Sequence, residues 1–295
     1  MYTEFYGLIR RPFEMTPDPS FLYLGEAHRE GLAMLQYAVE SRKGFVLLTG
    51  EVGTGKTTLL HSLLSQLDSR ANSAFVFNPR LKPIDFLKVI FDEFEIREEC
   101  RTKGDYLMAL NRYLIEKLEQ DEPVLLIVDE AQNLSSEMLE EIRLLSNLET
   151  PSSKLLQIML VGQPELKGML AQPELRQLRQ RIVLRHHLRP FNAQECASYV
   201  DERLRLAGYT DKALFDRGAL REIHESTEGI PRLVNIVCDG ALLLGFSREM
   251  AQIDRKAVRE VAGDLELGSE HRPADGNGTA EAPARRRRGL FGLFR

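Results

Sequence analysis

The sequence predicts an α/β protein, in which a parallel sheet with helices on both faces is followed by a smaller, all-helical domain. Short apolar runs alternate with helical patterns up to about residue 189, which is typical of a parallel sheet. The runs at 124–128 and 155–161 are almost entirely apolar, as expected for strands covered on both faces. From residue 190 onward only helical patterns follow, which indicates the second domain.

Each element has its own pattern. Residues 1–25 contain several prolines and predict an extended, turn-rich arm. Strands are predicted at 44–49, 73–78, 124–129, 155–161 and 182–188. Helices are predicted at 26–41, 58–64, 83–96, 104–120, 135–148, 192–207, 211–225, 231–246 and 254–262. The expected domains are 1–189, which includes the arm, then 190–263, and a final segment 264–295.

Composition limits the class of protein. The chain has 295 residues, enough for two domains, with 43% hydrophobic and 28% charged residues, as in an ordinary soluble protein. A net charge of −5 gives no overall basic footprint, so nucleic acid is a less expected partner. The three cysteines match no zinc or disulfide spacing and indicate a reducing compartment. No apolar run is long enough for a membrane span and the N-terminus lacks a signal-peptide pattern, so we expect a cytoplasmic location.

Residues 50–57, Gly-Glu-Val-Gly-Thr-Gly-Lys-Thr, fit the phosphate-binding pattern G-x-x-x-x-G-K-[ST] in full. A predicted strand precedes them and a predicted helix follows. This geometry turns backbone N–H groups and a helix N-terminus toward a phosphate. Lys56 would reach the β- and γ-phosphates, and the Thr57 hydroxyl would hold Mg²⁺. The predicted nucleotide-binding residues are Gly50, Glu51, Val52, Gly53, Thr54, Gly55, Lys56, Thr57 and Thr58.

A pair of carboxylates, Asp129 and Glu130, ends the apolar strand at 124–128. Ligands of parallel sheets bind at the carboxyl ends of the strands. We therefore expect this strand end and the phosphate-loop strand end to lie side by side. Asp129 would then hold Mg²⁺, and Glu130 would act as a general base toward an attacking water. Together the two motifs predict hydrolysis of ATP or GTP.

A polar residue, Gln163, follows the strand at 155–161. Because strand-end residues line the ligand crevice, Gln163 is predicted to contact the γ-phosphate or the attacking water. The alternative is an amide that caps the helix starting near Pro164.

Arginines are dense just before the last predicted strand, at Arg176, Arg179 and Arg181. An arginine supplied by a neighbouring copy can stabilise transition-state charge. Arg181, at the helix-to-strand junction, is the first choice for this role, and Arg179 is the second. A solvated helix face is the alternative for each of the three. In the helical domain, Gly-Ile-Pro-Arg at 229–232 starts a helix, and Arg232 would contact the γ-phosphate.

These motifs together resemble an AAA+ ATPase, with Walker A, Walker B, sensor 1, arginine finger and sensor 2 in order. Further segments resemble the general secretion pathway protein A family, including related ATPases of pilus and exosortase or exopolysaccharide loci. They are Tyr6–Leu8, Pro12–Phe13, Thr16–Pro19, Phe21–Leu24, His28, Asp129–Leu134 and Gly162–Leu166. The resemblance covers about residues 1–265 and implies ATP, rather than GTP, as the nucleotide.

The resemblance also implies that Pro12 and Phe13 help to enclose the adenine. The residues alone equally allow core filling by this pair. His28 either contacts the base or caps a helix.

The resemblance implies a homo-oligomer with an arginine finger in trans. It also implies a motor or switch role with envelope-assembly proteins of a secretion, pilus or exopolysaccharide export apparatus. The alternative is a DNA-directed AAA+ ATPase of transposition-regulator or initiator type. A switch with little turnover is a third alternative, against which Glu130 argues.

The C-terminal segment differs from the long family members, which continue with a transmembrane helix and a peptidoglycan-binding domain. Residues 264–284 predict a disordered linker, and Arg285–Arg295 combines four consecutive arginines with a short apolar tip. Such a tail suits peripheral contact with an anionic membrane, at the inner face of the inner membrane, or docking to a protein partner. A plain solubilising tail is the remaining alternative.

Overall fold

The computed structural model describes residues 1–15, 21, 23–67, 71–77, 81–151 and 153–267. They divide into two compact units. The α/β unit contains the described residues of 17–190. The helical unit joins the described residues of 1–16 to those from 191 onward.

A parallel sheet of five strands, ordered β2-β3-β4-β1-β5, forms the centre of the α/β unit. Its strands are β1 (Phe45–Gly50), β2 (Asn72–Val76), β3 (Val124–Val128), β4 (Gln157–Gly162) and β5 (Ile182–Leu188). Its helices are α2 (Glu26–Glu40), α3 (Lys56–Gln66), α4 (Pro83–Glu93), α5 (Lys103–Glu119), α6 (Ser136–Leu145), α7 (Glu165–Leu170) and α8 (Arg176–Arg181). The helical unit contains α1 (Tyr2–Phe5), α9 (Ala193–Leu206), α10 (Arg217–Thr227), α11 (Pro231–Ser247) and α12 (Arg255–Asp264).

Both faces of the sheet are covered. Successive side chains of a strand alternate between the faces, so a strand buried on both sides has to be apolar throughout. In β1, Val46 and Leu48 belong to the hydrophobic cluster that contains residues of α2 and α3. Phe45 and Leu47 belong to the cluster on the other face, which contains residues of α4, α5 and α6. All four side chains are buried. The predicted fold class, a parallel sheet with helices on both faces and a helical domain after it, is confirmed.

The carboxyl ends of the strands lie on one edge of the sheet, but their order differs from the expected one. β4 pairs with both β1 and β3 and therefore lies between them. The expectation that the ends of β1 and β3 lie side by side is wrong for the strands themselves. The two motifs meet instead through the first turn of α3, where Thr57 hydrogen-bonds Asp129.

The N-terminal segment, residues 1–15, belongs to the helical unit, whereas the sequence placed the arm with the sheet. Three of its aromatic side chains, Tyr2, Tyr6 and Phe13, are buried there, whereas Phe5 is exposed. The Tyr2 hydroxyl donates to Oδ1 of Asp239 over 2.5 Å, and the Phe13 ring packs edge-on against Phe215 at 6.2 Å between centroids. Burial of large aromatic rings outweighs proximity along the chain in deciding where the segment folds.

The predicted basic tail, Arg285–Arg295, lies outside the described residues. Within the described ranges, no helix has both the length and the apolar composition needed to cross a bilayer.

Candidate functional site

The loop between β1 and α3 has the backbone that phosphate binding requires. Gly55 has a φ of 95°, in the left-handed region where glycine is unstrained, and it directly precedes the first residue of α3. The side chains of Glu51, Val52 and Thr58 are exposed. A ligand in this loop would therefore be held by backbone N–H groups and the helix N-terminus rather than by these side chains.

Lys56 is held in the loop by backbone carbonyls. Its Nζ donates to the carbonyl oxygens of Gly50 at 2.8 Å and Glu51 at 3.0 Å, and the residue is only 6% exposed. Burial lowers the pKa of Lys56, whereas the nearby charges of Glu130 and Asp129 raise it. These contacts hold the ammonium group inside the loop, and its contact with phosphate oxygens stays a prediction.

Asp129 is buried and fixed through both carboxylate oxygens. The Thr57 hydroxyl donates to Oδ2 over 3.1 Å, and the backbone N–H of Glu130 donates to Oδ1 over 2.8 Å. A hydroxyl and a carboxylate are oxygen ligands of the kind that Mg²⁺ takes when it binds through few side chains and substrate phosphates. The two predicted metal ligands therefore fit the ion.

Glu130 begins a tight turn and meets two glutamines. Its φ is 51°, and a 3₁₀ turn follows at Ala131–Asn133. Nε2 of Gln132 and Nε2 of Gln163 both donate to Oε2 of Glu130, at 2.5 and 3.2 Å. The structure thus brings together the predicted residues Glu130 and Gln163. It adds Gln132, for which the sequence held one signal, its place in the Asp129–Leu134 segment.

His28, whose role the sequence left open, contacts the phosphate loop. Its Nε2 lies 2.9 Å from the carbonyl oxygen of Thr54, and the residue is 5% exposed. Because a carbonyl only accepts, Nε2 is the donor. A Cβ on Gly55 would lie 3.2 Å from the same nitrogen. His186 of β5 in turn contacts the Ala27 carbonyl at 2.8 Å, so the start of α2 is fixed between the loop and β5.

The three arginines before β5 differ in their surroundings. Arg181 is half-buried and donates to Oγ of Ser146. Arg179 donates to the Ala171 carbonyl at 3.4 Å. The Arg176 side chain is exposed and forms no hydrogen bond or ion pair with the described residues. A role for any of them in the site of a neighbouring copy stays a prediction.

Arg232 lies in the first turn of α11, after a glycine that the fold requires. Gly229 has a φ of 72°, and a Cβ there would lie 1.9 Å from the carbonyl oxygen of Phe191. Pro231 is the first residue of α11, a position where proline costs no hydrogen bond. Arg232 is exposed, and its contact with a γ-phosphate stays a prediction.

Pro12 and Phe13 are buried within the helical unit. The Pro12 carbonyl accepts from Nε of Arg203 at 2.5 Å, and Phe13 is 1% exposed against Phe215. These contacts are those expected if the pair fills the core of the helical unit. Enclosure of an adenine by the same pair stays a prediction.

The sheet, the phosphate loop, the strand-end carboxylates and the helical unit together define the AAA+ fold. Residues 37–170 match the family model described as AAA domain. The chain resembles the general secretion pathway protein A of Aeromonas hydrophila, with 45% identity over 270 residues, as the sequence motifs predicted. The match covers 91% of this chain and 48% of the relative, so the chain spans about half the length of that curated relative.

Solved structures share the fold at low identity. The Aeropyrum pernix ORC2 protein in its ADPNP–ADP complexes has a TM-score of 0.64 at 18% identity, over 86% of this chain and 71% of that chain. Cdc6p from Pyrobaculum aerophilum has a TM-score of 0.63 at 16% identity, over 85% and 71%. Drosophila ORC bound to DNA has a TM-score of 0.64 at 14% identity, over 91% and 67%. At these identities the similarity shows the fold alone.

Proposed function

We propose that the chain binds ATP with Mg²⁺ and hydrolyses it to ADP and phosphate. The observation that carries this proposal is the 3.1 Å hydrogen bond between Thr57 and Asp129. It joins the phosphate loop to the strand-end carboxylate that would share the metal, with Glu130 one residue further on. The match of residues 37–170 to the AAA domain supports nucleotide binding, and the resemblance to the secretion protein supports ATP over GTP.

Each residue then has one task. The loop N–H groups and Lys56 bind the β- and γ-phosphates. Thr57 and Asp129 hold Mg²⁺, which when bound neutralises charge on the phosphate oxygens. Gln163 orients the attacking water, and Glu130 accepts its proton.

Nucleotide binding is tested by Lys56→Ala, with Lys256→Ala, an exposed lysine of α12, as the matched control. Because a hydrogen bond to a charged group contributes about 1.5–3 kcal/mol, we expect Lys56→Ala to bind ATP roughly 10- to 100-fold more weakly. Calorimetric titration with ATP measures this. Absence of ATP affinity in the wild type, or wild-type affinity in Lys56→Ala, would overturn the proposal.

Hydrolysis is tested separately by Glu130→Gln. Loss of a general base lowers turnover by roughly 10²- to 10⁴-fold, whereas ATP binding should be retained. Glu137→Gln, an exposed glutamate in the first turn of α6, is the control and should turn over normally. Phosphate release and retained nucleotide are measured on the same samples. Normal turnover by Glu130→Gln would remove the base assignment.

We also propose that this ATP cycle serves a bacterial secretion, pilus or exopolysaccharide export apparatus at the inner face of the inner membrane. The similarity to the Aeromonas secretion protein supports it. Glu130→Gln, loaded with ATP, should retain envelope-assembly proteins from solubilised membranes, and Lys56→Ala should not. Identical proteins retained by both variants would contradict a nucleotide-dependent partner.

A DNA-directed ATPase is the second candidate. The fold that the chain shares with Drosophila ORC bound to DNA supports it, whereas the net charge of −5 does not. ATP turnover measured with and without duplex DNA separates this candidate from the role in an export apparatus. We expect no stimulation.

A further inference from the structure

The side chain of Gln132 connects the ends of two neighbouring strands, β3 and β4. Its Nε2 donates to Oε2 of Glu130 at 2.5 Å, and its Oε1 accepts from the backbone N–H of Gln163 at 3.0 Å. A backbone N–H only donates and a carboxylate only accepts, so the amide can take just this orientation. One side chain thus bonds both the residue after Asp129 and the residue after β4.

The backbone brings Gln132 back to Glu130. Glu130 adopts left-handed angles, φ 51° and ψ 37°, which are uncommon for a residue with a side chain. The N–H of Asn133 then closes the turn on the Glu130 carbonyl at 2.9 Å. Because of this turn, the side chain two positions after Glu130 folds back over its carboxylate.

The end of β4 leaves room for the same amide. A Cβ on Gly162 would lie 2.6 Å from Oε1 of Gln132, closer than side-chain atoms approach one another. Glycine at this strand end therefore permits the approach of Gln132. The amide is confined by Glu130 on one side and by the β4 backbone on the other.

The contacts also distinguish the two oxygens of Glu130. Gln132 and Gln163 both donate to Oε2, whereas Oε1 accepts no hydrogen bond from the described residues. A general base needs an oxygen with a lone pair open to the proton that it abstracts. Oε1 is therefore the oxygen available to a substrate water.

We propose that Gln132 is a positioning residue for hydrolysis. It holds Oε2 of Glu130 so that Oε1 serves as the base, and it couples the direction of that carboxylate to the strand end that carries Gln163. This role rests on the proposed ATPase function. Gln132 acts through Glu130 and Gln163 and does not itself bind nucleotide.

The test uses two variants of the full chain. Gln132→Met keeps the length of the side chain and removes both hydrogen bonds. Gln132→Glu keeps the acceptor for the Gln163 N–H but removes the donor to Glu130. Gln172→Ala, an exposed glutamine after α7, is the control. Misplacement of a catalytic group by about 1 Å lowers turnover by up to about 100-fold, so we expect kcat to fall roughly 10- to 100-fold in both variants.

Four further readouts separate positioning from general damage. The KM for ATP, the affinity for ADP and the thermal midpoint should stay at the wild-type values in Gln132→Met. In a double-mutant cycle with Gln163→Ala, the combined loss of kcat should be smaller than the product of the single losses, because both act on one carboxylate.

The outcomes distinguish a failure of the proposed role of Gln132 from a failure of the proposed ATPase function. Wild-type kcat in Gln132→Met, a matching loss of ATP affinity, or independent effects in the cycle would overturn the role of Gln132 while the ATPase stands. If the wild type does not hydrolyse ATP, or Glu130→Gln hydrolyses normally, the proposed function fails and this role fails with it.

Discussion

The hydroxyl of Thr57 donates to Oδ2 of Asp129 over 3.1 Å, although 72 positions separate the two residues in the chain. The contact joins the first turn of α3, the helix that follows β1, to the end of β3. In the sheet, β1 and β3 lie on either side of β4. The other oxygen of Asp129 accepts the Glu130 N–H, so the carboxylate is held in one orientation. The two predicted Mg²⁺ ligands are therefore hydrogen-bonded to each other, and this would reduce the cost of ordering them around an ion.

Thr57→Val removes the hydroxyl with little change in shape. We expect the variant to bind ATP roughly tenfold or more weakly in the presence of Mg²⁺, since a hydrogen-bonding group beside a charge contributes about 1.5–3 kcal/mol. In EDTA, the difference from the wild type should largely disappear. Calorimetric titrations with and without Mg²⁺ measure both values.

The control for this prediction is Thr210→Val, an exposed threonine of the helical unit, which should behave as the wild type. An equal loss of affinity with and without Mg²⁺ would show that Thr57 does not act through the metal.

The buried hydrogen bond from His28 to the Thr54 carbonyl predicts a role in shaping the phosphate loop. His28→Ala leaves that carbonyl without its donor, which costs about 1–3 kcal/mol, and should weaken ATP binding by roughly tenfold. His28→Gln places an amide donor at a similar distance and should restore most of the affinity. His61→Ala, an exposed histidine of α3, is the control. Equal affinities of the alanine and glutamine variants would contradict the prediction.

The sequence predicted those features whose signals are local. The apolar runs of β1 and β3, the phosphate loop and Asp129 each follow from a short stretch of chain. The order of the strands does not, because the position of β4 between β1 and β3 depends on pairing between distant segments. Gln132 was missed for a similar reason, because a glutamine in a turn belongs to no hydrophobic repeat. It contacts Glu130 and Gln163 because of the left-handed turn at Glu130 and the glycine at the end of β4.

Arg181, the first choice for an arginine finger, donates to Ser146 within its own chain. If Arg181 also stabilises the transition state in the site of a neighbouring copy, Arg181→Ala should lower turnover by roughly 10³-fold or more. Addition of Lys56→Ala copies, which lack a working site but keep their arginines, should restore hydrolysis. Arg217→Ala, an exposed arginine of α10, is the control. A loss confined to Arg176→Ala, whose guanidinium is exposed, would move the assignment to that residue.

Phe13 is 1% exposed and packs edge-on against Phe215, which predicts that it stabilises the helical unit. Phe13→Ala leaves a cavity and should lower the free energy of unfolding by about 3–5 kcal/mol, whereas Phe13→Leu should cost less because it fills more of the space. Met15→Ala, 46% exposed on the same segment, should change stability little. Denaturant unfolding gives the energies, and amide hydrogen exchange in α9–α12 locates them. ATP affinity is then measured on the folded variants. A Phe13→Ala variant with wild-type stability and reduced ATP affinity would contradict the packing role and support enclosure of the adenine.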